Sequence, residues 1–189
     1  MASKTDGTGS GDVCPHKIAF LFDNWLRRVF QNPQKIVGDY LQEGDTVIDI
    51  GCGPGYFAVD MAKMVGKSGK VFAADLQMQM LEKAKKKASR QNLRDRMEFH
   101  QCQPSSIGLK QKADFILAFY VVHETPSAKK FLKEVREMLR PHGKLLVVEP
   151  KMHVSRQTFE EMLADAKSAG LKIADRPKGK GGRSVLLVP

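Results

Sequence analysis

Residues 47–57 read VIDIGCGPGYF and contain three closely spaced glycines directly after an apolar run. The apolar run is typical of a buried strand, and the residues that follow the glycines have a helical pattern. Glycine has no Cβ atom, so it allows the backbone to turn sharply and to approach a ligand closely. A glycine loop between a strand and a helix therefore predicts a nucleotide-binding site.

The spacing of the glycines distinguishes between kinds of nucleotide. A dinucleotide-binding loop, GxGxxG, counted from Gly51 would need glycine at position 56, which is Tyr56. A phosphate-binding loop, GxxxxGK[ST], would also need lysine at position 57, which is Phe57. Asp49 would repel a pyrophosphate, but it suits a ligand that carries ammonium and sulfonium groups. The loop therefore favours S-adenosylmethionine.

The alternation of strands and helices continues along the chain. We expect strands at residues 46–50, 70–74, 96–101, 113–122, 144–148, 171–174 and 184–188. This order predicts an α/β, Rossmann-like doubly wound fold with a mostly parallel, seven-stranded sheet and a C-terminal antiparallel hairpin. Ligands of such sheets bind at the carboxyl ends of the strands. A turn at Pro141-His142-Gly143 is expected to lead into the fifth strand.

Two helices are expected before the first strand. Apolar residues recur at helical spacing over residues 18–30, and Asn32-Pro33 can cap a second short helix that carries Ile36 and Leu41. We therefore divide the chain into a flexible lead at 1–13, a helical lid at 14–43 and a Rossmann-like domain at 44–189.

Composition limits the environment and the partners. The chain has 189 residues and a formal charge of +10, which suits nucleic acid, an anionic membrane surface or acidic small molecules. Its three cysteines form no disulfide framework, which favours the cytoplasm. The absence of an apolar run of about 20 residues predicts no membrane partner.

Four segments together resemble the class I S-adenosylmethionine-dependent methyltransferases. They are VIDIGCGPGYF (47–57), VFAADLQMQMLEKA (71–84), ADFILAFYVVHE (113–124) and FLKEVREMLRPHGKLLVVEP (131–150). Within that family the chain looks most like the small single-domain branch that includes quinone-biosynthesis C-methyltransferases and arsenite methyltransferases. The resemblance implies that S-adenosyl-L-methionine is the methyl donor.

The resemblance also implies cofactor-binding residues. Asp75, at the end of the second strand, can accept hydrogen bonds from both ribose hydroxyls. Gln103 and Pro104 depart from the family, which usually has an aspartate that accepts from the adenine amino group and then a residue that offers its N–H. Glutamine can still accept, but proline has no N–H. The other implied contacts are Gly51, Gly53, Gly55, Ala118 and Phe119 at the methionine moiety, Asp49 at its ammonium group and Leu76 at the adenine.

Candidate residues for the chemistry lie at the ends of the fourth and fifth strands. A general base is needed when the acceptor is a hydroxyl or a carbon acid. The catalytic candidates are His123, Glu149 and His153, and the substrate-binding candidates are Cys14, His16, Tyr120, Glu124 and Lys151. Such residues could also hold a metal or metalloid, but they have no regular spacing. We predict a substrate pocket without a metal.

Two other functions stay open. The basic loop of Lys178, Lys180 and Arg183 is consistent with a nucleic-acid methyltransferase. Enzymes that methylate base amino groups commonly have the tetrapeptide [DN]PP[YF] after the fourth strand, but this chain has AFYV at 118–121. The Pro-Cys pair of carbon-5 methylation occurs only reversed, as Cys14-Pro15. The departure from the family at Gln103-Pro104 is consistent with a catalytically silent S-adenosylmethionine-binding protein. We predict methyl transfer to a small-molecule acceptor and disfavour nucleic acid.

Overall fold

The computed structural model describes residues 31–189. The helix predicted at 18–30 lies outside the described residues, as do the candidates Cys14 and His16.

Seven strands form one sheet with the order β3-β2-β1-β4-β5-β7-β6. They are β1 Thr46–Ile50, β2 Lys70–Asp75, β3 Met97–Gln101, β4 Ala113–Phe119, β5 Leu139–Glu149, β6 Lys172–Asp175 and β7 Arg183–Val188. Within this described sheet, β7 pairs antiparallel with both β5 and β6, and all the other pairings are parallel. The predicted fold class is therefore confirmed, with one addition: β7 is inserted between β5 and β6.

Five α-helices accompany the sheet in the described part of the chain. They are α1 Pro33–Val37, α2 Tyr56–Met64, α3 Met78–Arg90, α4 Ala128–Met138 and α5 Arg156–Ser168. Helix α1 begins as predicted, because the Asn32 side chain accepts a hydrogen bond from the N–H of Gln34 and Pro33 occupies the first turn. Its residues Ile36 and Val37 are buried in the core.

The core consists of two layers, one on each face of the sheet. Successive residues of a strand point to opposite faces, so Val47 packs in one layer and Ile48 in the other. Helices α1, α2 and α3 cover the first layer, and α4 and α5 cover the second. Among the described residues, no helix combines the length and apolar character needed to cross a membrane.

The position of β1 in the sheet creates the crevice for a ligand. Strand β1 pairs with β2 on one side and with β4 on the other, so the chain leaves β1 and β4 toward opposite faces. Such a reversal point opens a crevice at the carboxyl ends of the strands. The glycine loop after β1 lies at this point.

Two predicted strand boundaries differ from the structure by more than one residue. Strand β4 ends at Phe119 rather than at residue 122, because Tyr120 adopts a left-handed backbone with φ of 60° that ends the extended strand. Strand β5 begins at Leu139, so the predicted turn at Pro141-His142-Gly143 lies within it. The register with β4 shifts there, because Ala113 pairs with Leu139 whereas Phe115 pairs with Lys144. The intervening residues are accommodated as an irregularity of the strand rather than as a separate turn.

Candidate active site

A cleft opens at the carboxyl ends of β1, β2, β3 and β4. Its walls come from the loops that follow these strands and from the first turns of α4. The lining residues used below are Gly51, Gly53, Asp75, Leu76, Gln103, Pro104, Ser105, Ser106, Ile107, Tyr120, Val121, Glu124, Phe131 and Glu134.

The glycine loop forms the floor of the cleft and needs glycine for its backbone. Gly51, Gly53 and Gly55 have φ values of 70°, 53° and 77°, which side chains with a Cβ atom rarely adopt. The N–H of Gly51 donates to the carbonyl of Ala74 at 2.8 Å, which binds the loop to the end of β2.

Each glycine meets a different neighbour. A Cβ atom on Gly51 would lie 2.8 Å from the Val121 side chain in the cleft wall, and one on Gly53 would meet nothing within 4 Å. A Cβ atom on Gly55 would lie 2.9 Å from that of Ala84, so Gly55 allows α2 and α3 to pack closely. Gly53 thus leaves open space beside the cleft.

Asp75 connects the glycine loop to the opposite wall. Its Oδ2 accepts from the N–H of Gly53 and its Oδ1 from the N–H of Gln77, both at 2.8 Å. The side chain lines the cleft and the residue is 8% exposed. Burial raises the pKa of this carboxyl, while the two backbone hydrogen bonds act in the opposite direction. The sequence indicated the ligand-facing role but gave no sign of the bond to Gly53.

The far end of the cleft is largely apolar on two sides. Leu76 is 36% exposed and lies at the mouth, while Ile107 and Phe131 are buried in the wall. This arrangement suits a flat, apolar ring. Gln103 and Pro104 lie at its edge, where the sequence placed them.

The chain after β4 forms the wall nearest the glycine loop. Tyr120 donates its N–H to the carbonyl of Val148 at 2.8 Å and its hydroxyl to the carbonyl of Gly181 at 2.6 Å. These bonds hold its left-handed backbone. The lining residues here are Tyr120 and Val121, whereas Ala118 and Phe119 are buried within β4 and do not line the cleft.

His123 and Glu149 form a hydrogen-bonded pair beside the cleft. The Nδ1 atom of His123 bonds to Oε2 of Glu149, and the other oxygen of Glu149 accepts from the N–H of Val122 at 2.9 Å. Glu149 is 1% exposed, whereas the His123 side chain is 20% exposed. The hydrogen bond to Glu149 raises the pKa of His123.

Two further candidates lie next to this pair. The rings of His123 and His153 are 6.2 Å apart and perpendicular. Burial raises the pKa of Glu124, which lines the cleft. The ends of β4 and β5 therefore bring together an imidazole, its buried carboxylate partner and a second imidazole.

The predicted site residues within 31–189 fall into two groups, and Cys14 and His16 lie outside the described residues. Those that line the cleft are Gly51, Gly53, Asp75, Leu76, Gln103, Tyr120 and Glu124. Those that the structure places outside its lining are Asp49, Gly55, Ala118, Phe119, His123, Glu149, Lys151 and His153. Asp49 is buried within β1 directly beneath the glycine loop, and Lys151 is exposed in the turn after β5. Within residues 31–189, no three or more His, Cys, Asp or Glu side chains are grouped so that they could hold a metal.

Comparison with known proteins identifies the family. Residues 41–179 match the model of a methyltransferase domain. A solved S-adenosylmethionine-dependent methyltransferase from Aquifex aeolicus is 26% identical, with a TM-score of 0.77 over 92% of this chain and 96% of that one. The chain therefore belongs to the class I S-adenosylmethionine-dependent methyltransferases.

Curated relatives are enzymes of quinone biosynthesis. A demethylmenaquinone methyltransferase from Lactobacillus johnsonii is 29% identical over 67% of this chain and 50% of its own length. A ubiquinone/menaquinone biosynthesis C-methyltransferase from Francisella tularensis subsp. novicida is 29% identical over 66% of this chain and 50% of its own. The chain thus spans about half the length of these relatives.

The residues of the cleft fit S-adenosylmethionine, the methyl donor of this family. The space beside Gly53 admits a ligand against the backbone, and the buried Asp75 carboxylate faces it. The apolar end between Leu76 and Phe131 suits a nucleobase. No positively charged side chain from the glycine loop opposes a cationic ligand.

Proposed function

We propose that this protein transfers a methyl group from S-adenosylmethionine to a small-molecule acceptor bound beside the cleft. The observation that carries the proposal is the contact between Asp75 and Gly53, because it joins the two elements that a nucleoside linked to an amino acid must span. Asp75 and the glycine loop line one continuous cleft.

The cofactor would be held by groups of three kinds. The backbone at Gly51 and Gly53 would receive the methionine moiety, above the buried Asp49. Asp75 would accept from the ribose hydroxyls, since each carboxylate oxygen can accept more than one hydrogen bond. Leu76 would pack on the adenine. When bound, S-adenosylmethionine supplies an electrophilic methyl group on a sulfonium.

The chain's own part in the chemistry is to align the acceptor and to remove its proton. Alignment and exclusion of water can supply most of the acceleration of an in-line displacement. The Nδ1 atom of His123 bonds to Glu149, so the lone pair of the neutral ring is on Nε2, where it can accept a proton. Glu149 acts as a positioning residue, because it fixes the ring and stabilises the imidazolium form.

The relatives suggest which acceptors to try first. Both are named for quinone methylation, and a hydroxylated aromatic ring is an acid that a histidine base can deprotonate. The proposed acceptors are therefore hydroxylated aromatic compounds, which would pack near Tyr120 in the wall of the cleft.

The proposal is tested by turnover of methyl-labelled S-adenosylmethionine with a panel of quinone precursors, thiols, metalloids, amines, RNA and DNA. Transfer of label to one class, and its loss in His123→Ala, would support the proposal. Cofactor binding without transfer to any member would instead favour a silent binding protein. Transfer only to RNA or DNA would favour the nucleic-acid reading.

A further inference from the structure

The turn at residues 103–106, which lines the far end of the cleft, is closed by its own backbone. The N–H of Gln103 donates to the carbonyl of Ser106 at 2.9 Å, and the N–H of Ser106 donates back to the carbonyl of Gln103 at 3.2 Å. Pro104 has no N–H. Within the turn, Ser105 is the one residue whose N–H bonds to no other described residue.

Glu134 fixes this turn from helix α4. Its Oε2 atom accepts from the N–H of Ile107 at 2.7 Å and from the hydroxyl of Ser106 at 3.1 Å. Glu134 is half-buried and lines the cleft. Hydrogen bonds to a charged carboxylate are stronger than those between neutral groups, so Glu134 ties the turn firmly to the opposite wall.

We infer that Glu134 is a positioning residue for nucleobase recognition, because it holds the 103–106 turn where the Ser105 N–H and the Gln103 amide meet the ring edge. This inference rests on the proposed binding of S-adenosylmethionine in the cleft. Adenine offers an acceptor at N1 and a donor at its amino group. The Ser105 N–H matches the acceptor, and the Gln103 amide oxygen matches the donor.

The two contacts differ in how strictly they select the base. A side-chain amide can rotate and present its NH₂ instead of its oxygen, so Gln103 tolerates a base with a keto group in place of the amino group. A backbone N–H cannot reverse its polarity. The Ser105 N–H, held in place through Glu134, therefore disfavours a base that carries a proton at N1.

The test compares S-adenosylhomocysteine with S-inosylhomocysteine by titration calorimetry. The inosine compound has a proton at N1 and a keto group, so it opposes the Ser105 N–H. We expect the unmodified protein to bind the adenine compound about tenfold more tightly, which corresponds to one unmade hydrogen bond. Equal affinities would overturn the inference.

Variants of Glu134 separate positioning from a general structural role. E134A should reduce the preference for adenine to less than about threefold, because the turn loses its anchor. E134Q should keep the preference, since its amide oxygen can still accept from the Ile107 N–H. E137A, which removes an exposed carboxylate from the same helix outside the cleft lining, is the matched control and should also keep it. An E134A protein that binds both compounds more weakly but with unchanged preference would overturn the inference.

A substitution at Gln103 tests the same turn without disturbing the protein interior. Gln103 is exposed, so Q103D should fold even if E134A does not. Aspartate can only accept, so Q103D should raise the preference for adenine above that of the unmodified protein. An unchanged preference would overturn the placement of Gln103 at the ring edge. Failure of the unmodified protein to bind either compound would contradict the proposed function itself, and this inference with it.

Discussion

Asp75 has two roles, one within the protein itself and one toward a ligand. Its carboxylate already accepts from Gly53 and Gln77, so it shapes the glycine loop before any ligand binds. The same oxygens face the cleft, where a ribose would add further donors. Removing the carboxylate should therefore affect both the loop and the ligand.

Asp75→Ala should weaken the binding of S-adenosylhomocysteine by about 1.5–3 kcal/mol, the usual contribution of hydrogen bonds to a charged group. The affinity is measured by titration calorimetry. Asp95→Ala is the matched control, because Asp95 is exposed and does not line the cleft. Equal affinities of the two variants would remove Asp75 from the binding site.

The pairing of His123 with Glu149 predicts a pH dependence of turnover. Glu149 raises the pKa of His123, and a base must be unprotonated to act. The acid limb of kcat/KM should therefore lie above the ordinary histidine pKa of about 6.5. In Glu149→Gln the charge is lost, the pKa falls, and the limb should move to lower pH.

Controls accompany the histidine prediction. His123→Ala should lower turnover at least about tenfold, or 1.4 kcal/mol of barrier. His142→Ala should leave it unchanged, because the His142 side chain is 76% exposed and bonds to Asp114 away from the cleft. An acid limb that stays in place in Glu149→Gln would contradict the assignment of His123 as the base.

At the residue scale, the sequence predicted the types of group in the cleft better than their exact places. Asp75, Leu76 and Gln103 line the cleft. The sequence could indicate them because apolar runs show where strands end. Tyr120 and Val121 line the cleft, whereas Ala118 and Phe119 do not, and the left-handed backbone of Tyr120 carries no sequence signal. The anchor at Glu134 comes from a distant helix, so only tertiary structure reveals it.

At the scale of elements, the glycine loop combines a structural glycine with a ligand-facing one. Gly55 begins α2 and permits its contact with α3, whereas Gly53 opens onto the cleft. Sequence spacing identified the loop but could not separate these two functions. The difference depends on what lies beside each Cα atom.

A pair of alanine substitutions should separate them. Gly53→Ala and Gly55→Ala both incur the cost of a left-handed backbone, about 1–2 kcal/mol. Gly55→Ala also brings its Cβ atom to 2.9 Å from that of Ala84, so its melting temperature should fall further. Gly53→Ala should instead lose more affinity for S-adenosylhomocysteine. Identical changes in both properties would contradict the division of roles.

The boundaries of strands β4 and β5 show where pattern reasoning fails for elements. Residues 140–143 contain proline and glycine, which indicate a turn, yet the structure includes them in a strand with an irregular register. Pairing with β4 keeps these residues within the strand despite their turn-forming sequence. Sequence likewise predicted the final hairpin but not the insertion of β7 between β5 and β6.

At the scale of the whole molecule, the positive charge is less concentrated than the sequence indicated. Lys180 is 7% exposed and donates to the carbonyl of Lys35 at 2.6 Å. Arg183 donates to the carbonyl of Val154 at 3.0 Å. Two of the three cations in the predicted basic loop therefore act in internal contacts, which weakens the main argument for a nucleic-acid substrate.

The central claim is that one molecule of S-adenosylmethionine binds in the cleft between the glycine loop and the 103–106 turn. Titration calorimetry of the full chain with S-adenosylhomocysteine tests it most directly. We predict saturable binding with one site per chain that is weakened by Asp75→Ala and not by Asp95→Ala. The absence of binding at millimolar ligand, or binding that both variants retain equally, would contradict the claim.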